Sequence, residues 1–436
     1  MPDILLVALV GLIFFFLLLS GLYIHSVLLG VGLIGLLLIG RGQIIPGFLG
    51  NDPFLSAASY TLTTIPLFLL MAQFILKAGI VKDFFTIVYN ISRGKKGLLG
   101  ALTIIVGGFL GAVSGSGTAT AASLGQVAVP ELQKHGYRSD LAGAIAAVGG
   151  SLSGIIPPSI ILILYGVITE TPIGALFIGA VIPGFMIMFV FIMCMFYALA
   201  RADKANPVET KTAPKNKPIS TTRVITVLLV GAFISFVIFG GIYTGFVTPT
   251  EAGAVGAFAA FLAALILGQV NKNFLIESLT DTVKVTVMVI LILIGAKIFS
   301  RFVSLSLLPR KLVDMIGGLL EYPVLVLGLL TIVFFLLFMF IEGAAVILMT
   351  LPVLLPIIQM MDVDVLWFGV FISVICTLGL ITPPVGLSVY AVSGVSKIGL
   401  ESIFRYTTVF AVVVAIVVCG LLILFPGLAT WLPSTM

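Results

Sequence analysis

The sequence predicts an all-α polytopic membrane protein built as an inverted repeat, with two re-entrant hairpins and two broken helices. The 436 residues are 60% hydrophobic and 9% charged, with a mean hydropathy of +1.30. A soluble fold carries about 25% charged residues, so a soluble domain is excluded. Two Pro-Pro pairs, Pro157-Pro158 in GIIPPSII and Pro383-Pro384 in GLITPPVG, each follow a small-residue stretch, GAVSGSGTATAAS (111–123) and EGAAVILMT (342–350). A shift of 226 positions, the spacing of Pro383 from Pro157, also lays Gly343 on Gly117, Ala345 on Ala119, Val353 on Val127 and Pro356 on Pro130. Uncharged runs such as ILLVALVGLIFFFLLLS from Ile4 are long enough to cross a hydrocarbon core of ~30 Å. They lack the two-residue alternation of a membrane barrel, so their backbone must be satisfied within helices.

Spans are expected near 4–20, 23–40 and 58–78. The first is expected to remain as a helix, because Met1-Pro2-Asp3 holds an acid and no base and no A-x-A site follows. A basic stretch with Lys77, Lys82, Arg93, Lys95 and Lys96 precedes 97–130, which reads as helix, Gly/Ser break and second short helix. Lys134, His135 and Arg138 close it, and bases at both ends fit a hairpin that leaves and returns on the cytoplasmic side. The broken segment 140–169 then crosses outward to Glu170-Thr-Pro172, and 174–200 returns. Residues 201–223 hold six bases (Arg201, Lys204, Lys211, Lys215, Lys217, Arg223) with Pro207, Pro214 and Pro218, as expected of a cytoplasmic linker.

The second half runs in the opposite sense. Residues 224–243 go out, 252–269 come back to Lys272, and 278–299 go out again. A hairpin over 323–359 is flanked by Glu321, Asp362 and Asp364; a broken segment 365–396 returns to Lys397, and 404–425 exits. Both termini are then extracytoplasmic. Arg301, Arg310 and Lys311 fall on the outer side, and an amphipathic segment along the surface is one account of them. The net charge of +5 comes from bases in loops and implies no nucleic-acid partner. Cys194, Cys376 and Cys419 lie scattered in apolar runs, without metal-ligand or disulfide spacing, and are expected to pack.

Interrupted apolar segments at matching positions of two halves point to a transporter's binding site. A helix broken in the membrane frees carbonyls, which suit a small cation, and an N-terminal stump, which suits an anion. The first tip supplies Ser114, Gly115, Ser116, Gly117 and Thr118. Glycine lets backbone come close to an ion, and hydroxyls are hard donors that favour Na⁺-like ions over soft metals. Small-residue helix packing is the other reading of this stretch. GGSLSGIIPPS offers Ser151, Ser153, Gly154 and Ser159, where the proline pair unwinds the helix either for a ligand or as a kink alone. TLGLITPPVG offers Thr377, Gly379 and Thr382 opposite Gly343 and its neighbours.

One cation site per repeat is the simplest expectation: Ser114, Ser116, Gly117, Ser153 and Gly154 in the first, and Glu342, Gly343, Thr377, Gly379 and Thr382 in the second. Ser116, Thr118, Pro157, Pro158, Ser159, Pro383 and Pro384 are the candidate anion-binding positions. Glu342 is the one acid expected at a tip, where an unpaired charge costs ~2.5 kcal/mol or more. It reads as cation ligand, proton carrier or a carboxylate that shapes the tip. Lys297 and Arg301 stand four apart and either snorkel or attract an anion. Thr248-Pro-Thr-Glu251 reads as a capping box. No G-x-x-x-x-G-K-[ST] motif is present, and the only histidines, His25 and His135, fall in loops far from the serine-rich tip, so no enzyme is expected.

In combination, GAVSGSGTATAA (111–122), SGIIPPS (153–159), TPTEAGA (248–254) and GLITPPVG (379–386) resemble the DctM-like large membrane subunit of tripartite ATP-independent periplasmic (TRAP) transporters, over nearly the whole chain. The resemblance implies a subunit of the bacterial cytoplasmic (inner) membrane that takes an organic anion from a periplasmic binding protein and imports it by Na⁺ symport. Na⁺ is the coupling ion, and no cofactor is implied. The implied fold is of elevator type, in which 97–170 and 323–397 move against scaffold segments 1–96, 171–223 and 224–322 and the C-terminal helix 398–436. Some members carry a fused small four-helix subunit in front; with none here, a separate small membrane subunit is implied. C4-dicarboxylates, sialic acids and other sugar acids all fit, because no arginine lies in the tips to select a carboxylate. A stand-alone Na⁺- or H⁺-coupled anion symporter without a binding protein is the alternative.

Overall fold

Proline, glycine and small polar residues set where the helices of this chain start, stop and break. The structure, a computed structural model, describes residues 4–93, 95–205, 219–320 and 322–436. The linker residues Pro207, Lys211, Pro214, Lys215, Lys217 and Pro218, and Glu321, lie outside the described residues.

In the first half, α1 (Ile4–Leu19), α2 (Ile24–Leu38), α3 (Ile45–Ala57) and α4 (Thr64–Lys77) lead to an amphipathic α5 (Ile80–Ser92). A hairpin follows, α6 (Lys96–Ser114) and α7 (Gly117–Lys134), and then a broken helix, α8 (Ser139–Ser151) and α9 (Ile160–Thr169). Helices α10 (Ile173–Gly179) and α11 (Val181–Ala205) close the half. The second half opens with α12 (Thr221–Ser235), α13 (Pro249–Ile266), α14 (Lys272–Leu305) and an amphipathic α15 (Leu308–Leu320). Its hairpin is α16 (Pro323–Phe340) and α17 (Gly343–Met360), its broken helix α18 (Val365–Gly379) and α19 (Leu387–Ser396). Helices α20 (Leu400–Val414), α21 (Gly420–Leu424) and α22 (Gly427–Thr430) end the chain. Among the described residues, eight helices are long and apolar enough to cross a membrane, so the protein is multi-pass.

The 226-residue shift holds for whole elements. It carries α2 onto α13, α5 onto α15, α6 and α7 onto α16 and α17, and α8 and α9 onto α18 and α19, within two residues at every end. α15 contains Arg310 and Lys311, so the amphipathic segment invoked for those bases is present as a helix. The repeats differ where α14 runs unbroken for 34 residues while the first half has α3, a 3₁₀ turn Tyr60–Thr63 and α4. α3 does not read from the sequence because Pro46 and Pro53 mask it; Pro46 falls in the first turn, where its missing amide costs nothing. α14 exceeds the expected 278–299 because its polar end is satisfied. Asn271 accepts from the Phe274 amide at 2.9 Å, and Lys77 bridges Glu277 at 2.9 Å and Asp281 at 3.3 Å. The expected capping box is formed: the Thr248 hydroxyl accepts from the Glu251 amide at 3.3 Å, and Glu251 accepts from the Thr248 amide at 2.8 Å.

Packing crosses between the repeats. In the outer layer α2 lies on α14 and α13 on α4, and the shift turns each of these pairs into the other. In the centre α9 packs on α17 and α18, while α19 packs on α7 and α8. Glycines allow these approaches: a Cβ on Gly32 of α2 would lie 2.8 Å from the Phe299 amide nitrogen, and one on Gly125 of α7 would lie 2.6 Å from the Val395 side chain. Within the first repeat, a Cβ on Gly107 of α6 would meet Gly149 of α8 at 2.5 Å from its Cα, a backbone contact that no rotamer relieves. Gly107→Val is therefore expected to destabilise the chain by about 1–3 kcal/mol. Gly30→Val, at a position with open space, is the matched control, and thermal unfolding in detergent reads the difference.

Candidate functional site

The first tip is organised by its own hydroxyls. Gly115 takes a left-handed turn at φ +61, and Ser116 caps α7, accepting from the Ala119 amide at 3.4 Å. Ser114 and Thr120 share a hydrogen bond at 2.5 Å, Ser116 and Thr118 another at 3.1 Å, and the Ser116 amide donates to Ser114 at 3.3 Å. The second tip is plainer: Glu342 is the exposed residue ahead of α17, in the place that Ser116 holds in the first repeat, and Gly343 is buried behind it.

Behind the first tip the two breaks meet. A Cβ on Gly117 would lie 3.1 Å from the Ser153 hydroxyl, 2.9 Å from the Leu380 side chain and 3.4 Å from the Ser388 hydroxyl. One on Gly154 would lie 2.8 Å from the Thr377 hydroxyl. First tip, first break and second break thus form one cluster. Gly343 faces Cys376 and Ile161 instead, and Gly379 faces Phe338 of α16. That last contact mirrors one in the first repeat, where Gly111 of α6 meets the backbone of Ser153, the counterpart of Gly379.

Most hydroxyls here already donate. Ser159 donates to the Gly154 carbonyl at 2.9 Å, Thr377 to Ser373 at 2.9 Å and Thr382 to Leu378 at 2.6 Å. Ser153 and Ser388 do not: both are buried and neither hydroxyl has a partner among the described residues. An unpartnered hydroxyl in an apolar interior costs about 1–3 kcal/mol. Both of these face Gly117.

The breaks differ in cover. Pro157, Pro158 and Ser159 are buried; Pro157 lines an apolar cleft, and Pro158 shares a small crevice with Ile65, Phe68 and Leu69 of α4. Pro383 is half-exposed and Pro384 exposed. Both proline pairs are cis. Arg301 stacks on the Phe48 ring at 4.9 Å, and all three cysteines are free thiols.

The sequence profile of the "Tripartite ATP-independent periplasmic transporter, DctM component" family matches residues 11–428. The chain belongs to this family. It is 31% identical over 381 residues to the sialic acid TRAP transporter large permease protein SiaM of Vibrio cholerae, covering 86% of this chain and 87% of that one. It is 30% identical over 356 residues to the C4-dicarboxylate TRAP transporter large permease protein DctM of Pseudomonas aeruginosa, covering 81% of each. Among solved structures, the YdaH transporter of Alcanivorax borkumensis is similar in fold, with a TM-score of 0.65, 13% identity and 88% of each chain covered.

Ser388 is the residue of this cluster that the sequence reading missed. The shift that exposed the repeat places Ser388 on Leu162, so a search for paired features passes over it. The signal that would have found it is Gly386, whose φ of +55 opens α19 two residues earlier. The contact between the breaks is testable by rescue. Gly154→Ala alone is expected to lower thermal stability, and Thr377→Ala in the same chain to restore it, since the hydroxyl is the only close obstacle. A coupling of about 0.5–3 kcal/mol in the double-mutant cycle is expected, and strict additivity counts against the contact.

Proposed function

We propose that this transporter permease subunit imports an organic anion, a carboxylate such as a C4-dicarboxylate, a sialic acid or another sugar acid, by Na⁺ symport across the bacterial inner membrane. It would receive the anion from a periplasmic binding protein and work beside a small four-helix membrane subunit. The observation that carries the cation part is the pair of buried, unpartnered hydroxyls of Ser153 and Ser388 at Gly117. These are hard oxygen donors that suit Na⁺, and Thr377 and Thr382 keep lone pairs for a cation after donating to carbonyls. Among the described residues no three His, Cys, Asp or Glu side chains gather, so a soft-metal site has no support. The anion would lie at the N-terminal stumps beside Ser116, Thr118 and the exposed Pro383-Pro384 turn, where helix dipoles favour negative charge.

The reading extends to motion. The hairpins and broken helices, 97–170 and 323–397, exchange partners and would move as one body against the remaining scaffold. A cysteine at Thr118 paired with cysteines placed on α4 or α13 is expected to crosslink in two mutually exclusive patterns. A single pattern under all ligand conditions counts against an elevator.

Uptake into proteoliposomes tests coupling and partners together, with binding protein, small subunit and Na⁺ gradient each added or omitted. Uptake is expected only when all three are present; uptake without the binding protein makes the chain a stand-alone symporter. Ser153→Ala with Ser388→Ala is expected to raise the Na⁺ needed for half-maximal uptake about tenfold, the loss of ~1.4 kcal/mol of ion binding. Ser116→Ala with Ser153→Ala, and separately Thr382→Ala, probe the two repeats. If all of these leave the Na⁺ dependence unchanged, the cation sites lie elsewhere.

A further inference from the structure

Away from the breaks, α5, α6 and α12 enclose a seam with two unlike ends. At one end a hollow is lined by Asn90, Arg93 and Lys95, with apolar walls from Ile91, Leu98 and Val224. At the other lies the apolar cleft that reaches Pro157, with Phe84, Phe109 and Ile234 among its walls. The two hollows lie along the same helix faces. On α5 the lining positions Ile80, Phe84, Ile87 and Ile91 fall at three- and four-residue steps, which is one helix face. On α12, Val224, Val227, Gly231 and Ile234 do the same. On α6, Leu98 and Phe109 are exposed and Leu102 and Ile105 half-buried, while Leu99, Thr103, Ile104 and Val106 between them are buried. From Leu98 to Ala112 that stripe runs about 21 Å at 1.5 Å per residue, longer than one leaflet of a ~30 Å hydrocarbon core.

Charge sits only at the hollow. Arg93 and Lys95 are exposed and have no ion-pair partner among the described residues. The nearby Arg223 is already neutralised by Asp83, with contacts of 2.8 and 3.1 Å. Two cations without an ion-pair partner among the described residues, in line with an apolar cleft, match one chemical shape: an anionic head with a hydrocarbon tail. We propose that this seam holds one anionic phospholipid, its phosphate at Arg93 and Lys95 and an acyl chain along α6 between α5 and α12. Basic pockets between membrane helices on the cytoplasmic side recognise such head groups. Gly231 widens the cleft, since a Cβ there would meet nothing nearer than Phe84 at 3.9 Å. The tail would touch both α12 and the first break, joining the outer layer to the centre through a lipid rather than a side chain. This inference stands apart from the transport reading, because it is tested by binding alone.

The test is native mass spectrometry of the full chain in detergent, titrated with phosphatidylglycerol, phosphatidylcholine or glycerol phosphate. Phosphatidylglycerol is expected to bind in 1:1 stoichiometry, at least fivefold more tightly than phosphatidylcholine. Arg93→Gln with Lys95→Gln is expected to erase that preference, bringing phosphatidylglycerol down to the affinity of phosphatidylcholine. Gly231→Leu, which fills the cleft and leaves the bases in place, is expected to weaken both lipids. Equal binding of both lipids, or no binding at saturating lipid, overturns the proposal and leaves the cleft to an apolar helix of a partner subunit. Full competition by glycerol phosphate also overturns it, making the mouth a site for free phosphate-type anions. Unchanged phosphatidylglycerol binding in both variants, with folding confirmed by thermal unfolding, places any lipid elsewhere.

Discussion

Lipid tails are as apolar as leucine, so helices in a bilayer are drawn together by close packing and by the few polar contacts that packing permits. In this chain close packing also joins one repeat to the other. α9 completes the surface of α17 and α18, and α19 that of α7 and α8, so neither half has a finished core alone. Tyr165 of α9 is fully buried and donates to the Val365 carbonyl of α18 at 2.6 Å, which ties the first broken helix to the start of the second. Gly369 of α18 against the Tyr165 ring and Gly154 against Thr377 are close points of this exchange.

Hydroxyl accounting then separates the groups that build the turn from those that do not. Ser114, Ser116 and Thr118 read as ligands, yet their hydrogen bonds, with Thr120, go mainly to one another and to the start of α7. They build the turn. Ser153 and Ser388 contribute nothing to it and are costly to bury as they stand.

Much of the architecture was legible because proline and glycine act locally. The Pro-Pro pairs, the small-residue tips and Thr248-Pro-Thr-Glu251 each state their geometry in a few residues, and the 226-residue register follows from them. α3 was not legible, since Pro53 inside it argues against a helix that only packing on α14 sustains. What was legible at the breaks was position rather than hydrogen bonding. The sequence shows which residues lie at the breaks but not which hydroxyls find carbonyls, because Thr377 and Thr382 back-bond within their own helix while Ser153 does not. Gly379 is a further case: its glycine serves the approach of Phe338, a long-range fact absent from the local pattern.

The two proline breaks share a local logic and sit in opposite environments. Ile65, Phe68 and Leu69 of α4 close over Pro158, whereas Pro384 is exposed. The register puts Leu291, Ile294 and Gly295 of α14 where α4 has those three residues. Leu291 is exposed, and Gly295 is spent on α2, where a Cβ would lie 2.7 Å from the His25 carbonyl oxygen. The asymmetry therefore lies in what covers each break and not in the break itself. The cover differs together with the helix that supplies it: α4 starts afresh after the 3₁₀ turn Tyr60–Thr63, while α14 is one rod of 34 residues.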